Sequence, residues 1–139
     1  MQEFRGEFNT IIFGTSSFWE GVDLPGDLLK YLIMVKLPFP VPGEPLYKAK
    51  ENLLKEKGLN PFYNLALPQA VIKFRQGFGR LIRSKKDSGL IILFDRRVKE
   101  RSYGNKFLDS LPAGCPVSEI NRRDILAKID DNGVLKNDN

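Results

Sequence analysis

A glutamine and two arginines at helical spacing are the side chains of this sequence best suited to chemistry. In QGFGRLIRS, residues 76–84, Gln76, Arg80 and Arg83 follow at steps of four and three, which places them on one face of a helix. Two guanidiniums without a carboxylate among their helical neighbours are suited to bind an anion such as a phosphoryl group in transfer. An arginine pair lying over the edge of a sheet is the structural alternative.

Two glycines interrupt the same stretch. Gly77 and Gly79 each cost about 1 kcal/mol in a helix interior relative to alanine. Close approach by a ligand or by another backbone would give the helix a reason to accept them. Gln69 and Lys73 extend the polar face. The opposite face carries an apolar stripe expected to pack on a sheet, formed by Ala70, Val71, Phe74, Phe78, Leu81 and Ile82.

Positive charge is concentrated around this helix. The chain has 22 Lys and Arg against 17 Asp and Glu, a net charge of +5. Residues 73–101 hold ten basic side chains and three acidic ones, so this segment carries +7 and the rest of the chain −2. A segment of this kind indicates a phosphate-bearing partner. A solvated basic face that only aids solubility explains the charge equally well.

A second polar stretch, FGTSSFWEGVDLPG at residues 13–26, follows an apolar run at the point where a strand should end. Ligands of open α/β sheets gather beyond the carboxyl ends of strands, and Thr15 and Ser16 offer hydroxyls there. Asp23 could accept a ribose hydroxyl, while Trp19 either fills the core or stacks on a base. The GxxxxGK[ST] pattern is absent from the chain, so this stretch cannot cradle a triphosphate and its magnesium alone.

Short apolar runs alternate with helical patterns along the chain. Three runs predict strands, namely NTIIFG at 9–14, YLIMVKL at 31–37 and GLIILFD at 89–95. Helices are predicted for DLLKYL, for EPLYKAKENLLKEKG ending at Gly58, for LPQAVIKFRQGFGRLIR after Pro68, for SYGNKFLDSLP, and for SEINRRDILAKID with a cap-like Ser118. This alternation predicts an α/β domain with a mainly parallel sheet.

Length and composition narrow the class of protein. A chain of 139 residues with 42% hydrophobic residues suits one domain, and no apolar run is long enough for a membrane span. With no His and a lone Cys115, zinc clusters and histidine-dependent nucleophiles are excluded, and no metal ligands are expected. The first residues, MQEFRGEFN, lack an apolar signal region, so we expect a reducing cytoplasm.

Two motifs carry a resemblance to a known family. GTSSFWEGVDLPG resembles helicase motif V, and QGFGRLIRS resembles helicase motif VI, in the form used by the DinG branch of the XPD-like superfamily 2 DNA helicases. The stretches NPFYNLALPQAVIKFRQGFGRLIRSKKDSGLIILFDRR and YGNKFLDSLP are also similar to that family. The resemblance covers residues 9–117.

The resemblance implies a fold and a place within a larger enzyme. Such helicases have two RecA-like domains, with ATP bound between them and single-stranded DNA lying across both. This chain resembles the second domain only, which implies a RecA-like three-layer α/β sandwich with a mainly parallel sheet. We expect the domain to span residues 1–139, with 117–139 as a C-terminal helical tail. It lacks counterparts of the Walker A loop, the DEAH box and the iron–sulfur cysteines of first domains.

The resemblance also assigns roles to residues of motif VI. Arg80 and Arg83 would be arginine fingers that reach the γ-phosphate across the domain cleft. Gln76 would sit beside the same phosphates and couple the nucleotide state to domain closure.

Further roles are implied for motif V and for the basic residues that follow motif VI. Gly21 and Asp23 would face the nucleotide, and Glu20 would organise the loop. Thr15 and Ser16 would touch the DNA backbone. Further candidates for DNA phosphate contacts are Lys85, Lys86, Arg96 and Arg97, with solvated surface charge as the alternative.

The implied activity is ATP-dependent movement along single-stranded DNA in the 5′ to 3′ direction. ATP and Mg²⁺ would bind the full-length enzyme, and this fragment alone would bind neither. Its partners would be single-stranded DNA and the first RecA-like domain of the same polypeptide. The alternative is a non-catalytic basic module that binds nucleic acid or protein, which the absence of an upstream Walker A loop and DEAH box would favour. A stand-alone phosphotransferase is disfavoured, because neither a phosphate loop nor a magnesium-binding carboxylate pair is visible.

Overall fold

The computed structural model describes residues 11, 13–14, 29–82 and 89–131. The helices and strands in chain order are β1 (Tyr31–Met34), α1 (Pro45–Glu56), a π-helical turn (Phe62–Ala66), α2 (Leu67–Leu81), β2 (Leu90–Leu93), α3 (Arg97–Glu100), α4 (Asn105–Leu108), a 3₁₀ turn (Arg122–Asp124) and α5 (Ile125–Asp131). In this part of the chain, no helix has the length and apolar character needed to cross a membrane.

The two strands form a parallel sheet, as the alternating pattern predicts. Tyr31 pairs with Leu90 and Met34 with Leu93, and the connection between the strands contains α1 and α2. Mixed helices and strands with a parallel sheet fit the predicted α/β, RecA-like class. Both strands are shorter than the apolar runs that predict them.

Two predictions near β1 differ from the structure. Tyr31 and Leu32 belong to the strand and not to a DLLKYL helix, because they supply backbone to the ladder with β2. The strand predicted at 9–14 falls largely outside the described residues. Ile11, Phe13 and Gly14, which are described, have irregular backbone.

Helix α1 begins and ends as its sequence predicts. Pro45 occupies the first turn, where its missing N–H costs nothing, and Gly58 follows the helix with a φ of +69°. The N–H of Leu59 donates to the carbonyl of Leu54 at 2.9 Å and satisfies one of the last carbonyls. No residue of α1 is fully buried, so this helix lies on the surface of the domain.

The helical segment leading into α2 starts earlier than Pro68. The side-chain Oδ1 of Asn60 accepts the N–H of Phe62 at 2.9 Å, and so caps the first turn. A π-helical turn follows, in which the N–H of Leu67 donates to the carbonyl of Phe62. Proline inside a helix removes one hydrogen bond and crowds the preceding turn. The wider π turn lets the chain pass Pro68 without ending the helix.

The core lies between one face of the sheet, α2 and α4. Its buried residues are Met34, Leu37, Leu67, Ala70, Phe74 and Phe107. Phe107 is fully buried and meets the Phe74 ring edge to face, with centroids 5.5 Å apart. The predicted apolar stripe of α2 is confirmed as far as Leu81, since Ala70, Phe74 and Leu81 are buried while Ile72, which lies off the stripe, is 57% exposed. Ile82, the last predicted member, lies beyond the end of the helix.

The segments after β2 are helical for shorter lengths than predicted. SYGNKFLDSLP forms only the four-residue α4. In SEINRRDILAKID the first turn follows Asn121, which has extended backbone, so Ser118 does not cap the helix. The Tyr31 hydroxyl donates to the carbonyl of Ile129 at 3.3 Å and ties α5 to β1.

Candidate functional site

The polar face of α2 has the composition that the sequence predicts. Gln69, Lys73, Gln76 and Arg80 recur at steps of four, three and four, opposite the buried stripe. Gln76 is exposed, whereas the other three are half-buried. The helix therefore presents a glutamine and a guanidinium side by side, one turn apart.

The polar face of α2 is shorter at its carboxyl end than the sequence predicts. Helix α2 ends at Leu81, and Ile82 has extended backbone with φ −117° and ψ 101°. Helical spacing among the described residues therefore extends to Arg80, and the placement of Arg83 on the same face stays a prediction. Arg83 itself lies outside the described residues.

The two glycines of α2 lie in different surroundings. Gly77 is buried, while Gly79 is exposed beside Arg80. Apart from its chain neighbours and the backbone of its own helix, no heavy atom of the described residues lies within 4 Å of the position that a Cβ on Gly79 would take. Packing within this part of the chain gives no reason for glycine there.

Several predicted site residues lie outside the described part of the chain. They are Thr15, Ser16, Glu20, Gly21 and Asp23 of the motif V stretch, together with Lys85 and Lys86. Their assignments stay predictions.

Asp95 and Arg97 form a pair that joins the segments after the two strands. The sequence pattern did not predict this pair. Asp95 follows β2 and is buried, and its Oδ2 accepts the N–H of Leu37, after β1, at 2.7 Å. Arg97 donates from Nε to Oδ1 at 2.9 Å and from Nη2 to Oδ2 at 2.6 Å. These hydrogen bonds, above all those from Arg97, lower the pKa of Asp95 to about 2. The signal in the sequence was an Asp directly after an apolar strand, with Arg two residues later.

These contacts change the interpretation of the basic segment. Arg97 is held by Asp95 and lies over the Phe39 ring, 5.1 Å from its centroid, so it serves the fold, and its contact with DNA stays a prediction. Arg96 pairs with Glu100 at 2.7 Å, and Lys99 pairs with Glu119. Part of the positive charge at 73–101 is therefore matched by carboxylates of the same chain.

A groove opens beside the polar face of α2. It lies between the amino-terminal part of α1, the first turns of α2 and the loop after β1, and its volume is about 160 Å³. Phe39 and Val41 line it from the loop, Tyr47 and Lys50 from α1, and Lys73 from α2. Among the described residues, no group of three or more His, Cys, Asp or Glu is placed to hold a metal ion.

Comparison with known proteins identifies the family. The helicase C-terminal domain family matches residues 1–114. The chain therefore belongs to the helicase C-terminal domain family, as motifs V and VI predict.

Three relatives show the range of names that similar proteins carry. The chain is 48% identical over 129 residues to a Bacillus subtilis protein named 3'-5' exonuclease DinG, covering 93% of this chain and 14% of the relative. It is 50% identical over 103 residues to the ATP-dependent DNA helicase DinG of Photobacterium profundum, covering 74% and 15%. It is 44% identical over 122 residues to the ATP-dependent DNA helicase YoaA of Escherichia coli, covering 88% and 19%. The chain thus spans less than a fifth of the length of these relatives.

Proposed function

We propose that this chain is the second RecA-like domain of a DinG-type, ATP-dependent DNA helicase and completes an ATP site shared with the first domain. The observation that carries the proposal is the exposed face of α2. There Gln76 and Arg80 flank Gly79, whose outer side is open among the described residues. This face belongs to the stretch that resembles helicase motif VI.

Arg80 and Arg83 are proposed to stabilise the transferring γ-phosphoryl group. Positive charge placed where negative charge develops in the transition state lowers the barrier. A guanidinium suits this position because its planar fork spans two phosphate oxygens. Gln76, one turn before Arg80, is proposed to sense the same phosphates and couple them to domain closure. The full-length enzyme binds ATP with Mg²⁺ in this proposal, and no residue of this chain is assigned to the metal.

Gly79 is proposed as the point where the first domain comes closest. A side chain at this position would project from the exposed face of α2 next to Arg80. Absence of that side chain lets a second surface approach the backbone. Arg80 would then reach the phosphate without a wide gap that water could fill.

The motif V stretch is proposed to contact both the nucleotide and the DNA. Gly21 and Asp23 face the nucleotide, and Glu20 organises their loop. The DNA backbone is bound by Thr15, Ser16, Lys85 and Lys86. ATP binding closes the domains and hydrolysis reopens them, which moves the enzyme 5′ to 3′ along single-stranded DNA. We place this enzyme in the cytoplasm, where it would act in DNA repair.

Names of the relatives support a second candidate for the whole polypeptide, since the Bacillus subtilis relative is named an exonuclease. Nuclease activity would then belong to a part of the polypeptide outside this chain. ATP turnover separates the candidates: a helicase hydrolyses ATP faster with single-stranded DNA, whereas a nuclease that only binds DNA through this domain does not need ATP.

Steady-state ATP turnover of the full-length protein tests the proposal, measured with and without single-stranded DNA. Turnover that rises with DNA is expected, and the 139-residue chain alone is expected to show none, because half of the site is missing. A full-length protein without ATP turnover would support the non-catalytic binding module instead. Turnover by the isolated chain would contradict the shared site.

A further inference from the structure

The groove between α1 and α2 is lined in part by the loop that follows the carboxyl end of β1. Its floor includes Phe39, five residues beyond the end of β1, and ligands of open α/β sheets bind outside the carboxyl ends of strands. The groove shares the polar side of α2 with the motif VI face, because Lys73 lies one turn before Gln76. None of the residues assigned above to ATP or DNA lines it.

The floor of the groove is held in place before any ligand binds. The Phe39 ring packs against Phe62, with centroids 5.8 Å apart, and against Phe107 at the same distance. The Arg97 guanidinium, itself fixed by Asp95, lies 5.1 Å from the Phe39 centroid. A preformed floor reduces the ordering cost of binding.

Size and chemistry limit what the groove can take. The groove is half open to solvent, and its volume of about 160 Å³ leaves room for one aromatic ring. Tyr47 and the exposed side chain of Val41 offer an aromatic ring and an apolar wall. Lys50 and Lys73 bring ammonium groups from two different helices, and Glu44 adds a carboxylate. A ligand with one flat ring and a negatively charged group beside it matches this lining.

We propose that the groove binds one nucleotide of a single-stranded DNA, with the base against Tyr47 and a phosphate near Lys50 and Lys73. Bases stack on aromatic side chains without sequence preference, and ammonium groups bind backbone phosphates. The inference rests on the proposed function, since it assigns part of the DNA path of that helicase. It extends that path along α1, outside motifs V and VI.

A protein segment is the other class of occupant, and the lining favours it less. Surfaces that bind protein are depleted in lysine at their centre, whereas this groove has a lysine on each helix wall. Single-stranded DNA uses both the lysines and the ring of Tyr47, so one ligand accounts for these three lining residues.

Fluorescence anisotropy of the full-length protein with a fluorescein-labelled oligothymidylate tests the phosphate contact. Lys50→Gln is expected to weaken binding about threefold to tenfold, as for one hydrogen bond. The slope of log affinity against log salt is expected to fall by about 0.7. The matched control is Lys55→Gln, which removes the same charge from an exposed position on α1 outside the groove and should leave affinity and slope unchanged.

An abasic oligonucleotide of the same length tests the base contact. Tyr47→Leu is expected to weaken binding of oligothymidylate about fivefold or more, the lower end for one stacked base, and to leave binding of the abasic strand unchanged. Tyr63→Leu, an exposed tyrosine outside the groove, is the control. A loss that is equal on both strands would overturn the base contact.

Equal DNA affinities in the Lys50→Gln and Lys55→Gln proteins, or no DNA binding by the wild type, would overturn the inference. Unchanged affinity in every groove variant would indicate that another part of the polypeptide covers the groove. This readout is DNA affinity and not ATP turnover, so its failure leaves the shared ATP site standing. Failure of the ATP site would instead show as normal turnover in Arg80→Ala protein.

Discussion

Asp95 and Arg97 form a two-pronged hydrogen-bonded ion pair that joins the ends of both strands. Arg97 donates from Nε and Nη2, and Asp95 also accepts the N–H of Leu37 at 2.7 Å. The Asp95 side chain is 7% exposed and that of Arg97 is 41% exposed. The pair holds the loop that leads from β1 to the groove.

Asp95→Asn is expected to destabilise the domain by about 2 to 3 kcal/mol. The amide keeps the shape and one acceptor oxygen, but it loses the charge and turns an NH2 donor toward the donors of Arg97, so part of the hydrogen bonding to Arg97 is lost. The measurement is the free energy of unfolding in urea. Glu100→Gln is the control, because its pair with Arg96 is exposed and should contribute less than about 1 kcal/mol. Equal losses in both variants would contradict the importance of the buried pair.

Lowering the pH should remove the stability that the charged Asp95 side chain contributes. The pKa of Asp95 is about 2 in the folded chain, against an ordinary value of 3.8. A lowered folded pKa gives stability that is fully present above about pH 4 and is lost as the pH falls through about 2. The difference in unfolding free energy between wild type and Asp95→Asn should therefore shrink by about 2 kcal/mol between neutral pH and pH 2. A difference that stays constant with pH would argue against this pair.

Two glycine-to-alanine substitutions should change the stability of the domain in opposite directions. Gly79→Ala is expected to stabilise the isolated chain by about 0.5 to 1 kcal/mol, because its Cβ meets no atom of the described residues and alanine favours helix. A Cβ on Gly104 would overlap the carbonyl oxygen of Val98, so Gly104→Ala should cost about 2 to 3 kcal/mol. Thermal unfolding measures both.

Gly79→Ala should also separate stability from function. If the first domain approaches the backbone here, the same variant lowers ATP turnover of the full-length protein while its domain is more stable. A variant that is stabilised and fully active would show that Gly79 is not the point of close approach.

Asn60→Ala should weaken the start of the helical segment. The Asn60 side chain accepts the N–H of Phe62, and loss of such a cap costs about 1 kcal/mol. Asn60→Asp keeps an acceptor oxygen at a helix amino terminus and should retain most of the stability. Circular dichroism during urea unfolding distinguishes the two variants, and identical losses would contradict the capping role.

Local rules predicted the elements whose pattern is strong. The period of α2, the Gly58 stop of α1 and the alternation of helix and strand all follow from side-chain spacing and turn chemistry. The extended backbone of Ile82 and the π turn before Pro68 were not predicted, because helical periodicity alone marks neither an early helix end nor a wider turn. Gln76 and Arg80 were placed correctly on one face.

The sequence pattern does not predict contacts between segments that lie far apart in the chain. Charge counting treated Arg97 as available to phosphate. In the structure Arg97 instead pairs with Asp95 and lies over the Phe39 ring. The groove depends on residues from α1, α2 and the loop after β1, which only the packed chain brings together.

ATP turnover of full-length Arg80→Ala and Arg83→Ala proteins tests the central claim most directly, measured together with nucleotide binding by fluorescence. An arginine finger typically supplies roughly 10³ to 10⁵ in rate, so each variant should lose turnover on that scale while its affinity for ATP changes far less. Arg80→Lys should restore little, because an ammonium lacks the fork that spans two phosphate oxygens. Turnover near the wild-type rate in both alanine variants would contradict the account, because this face of α2 would then not complete an ATP site.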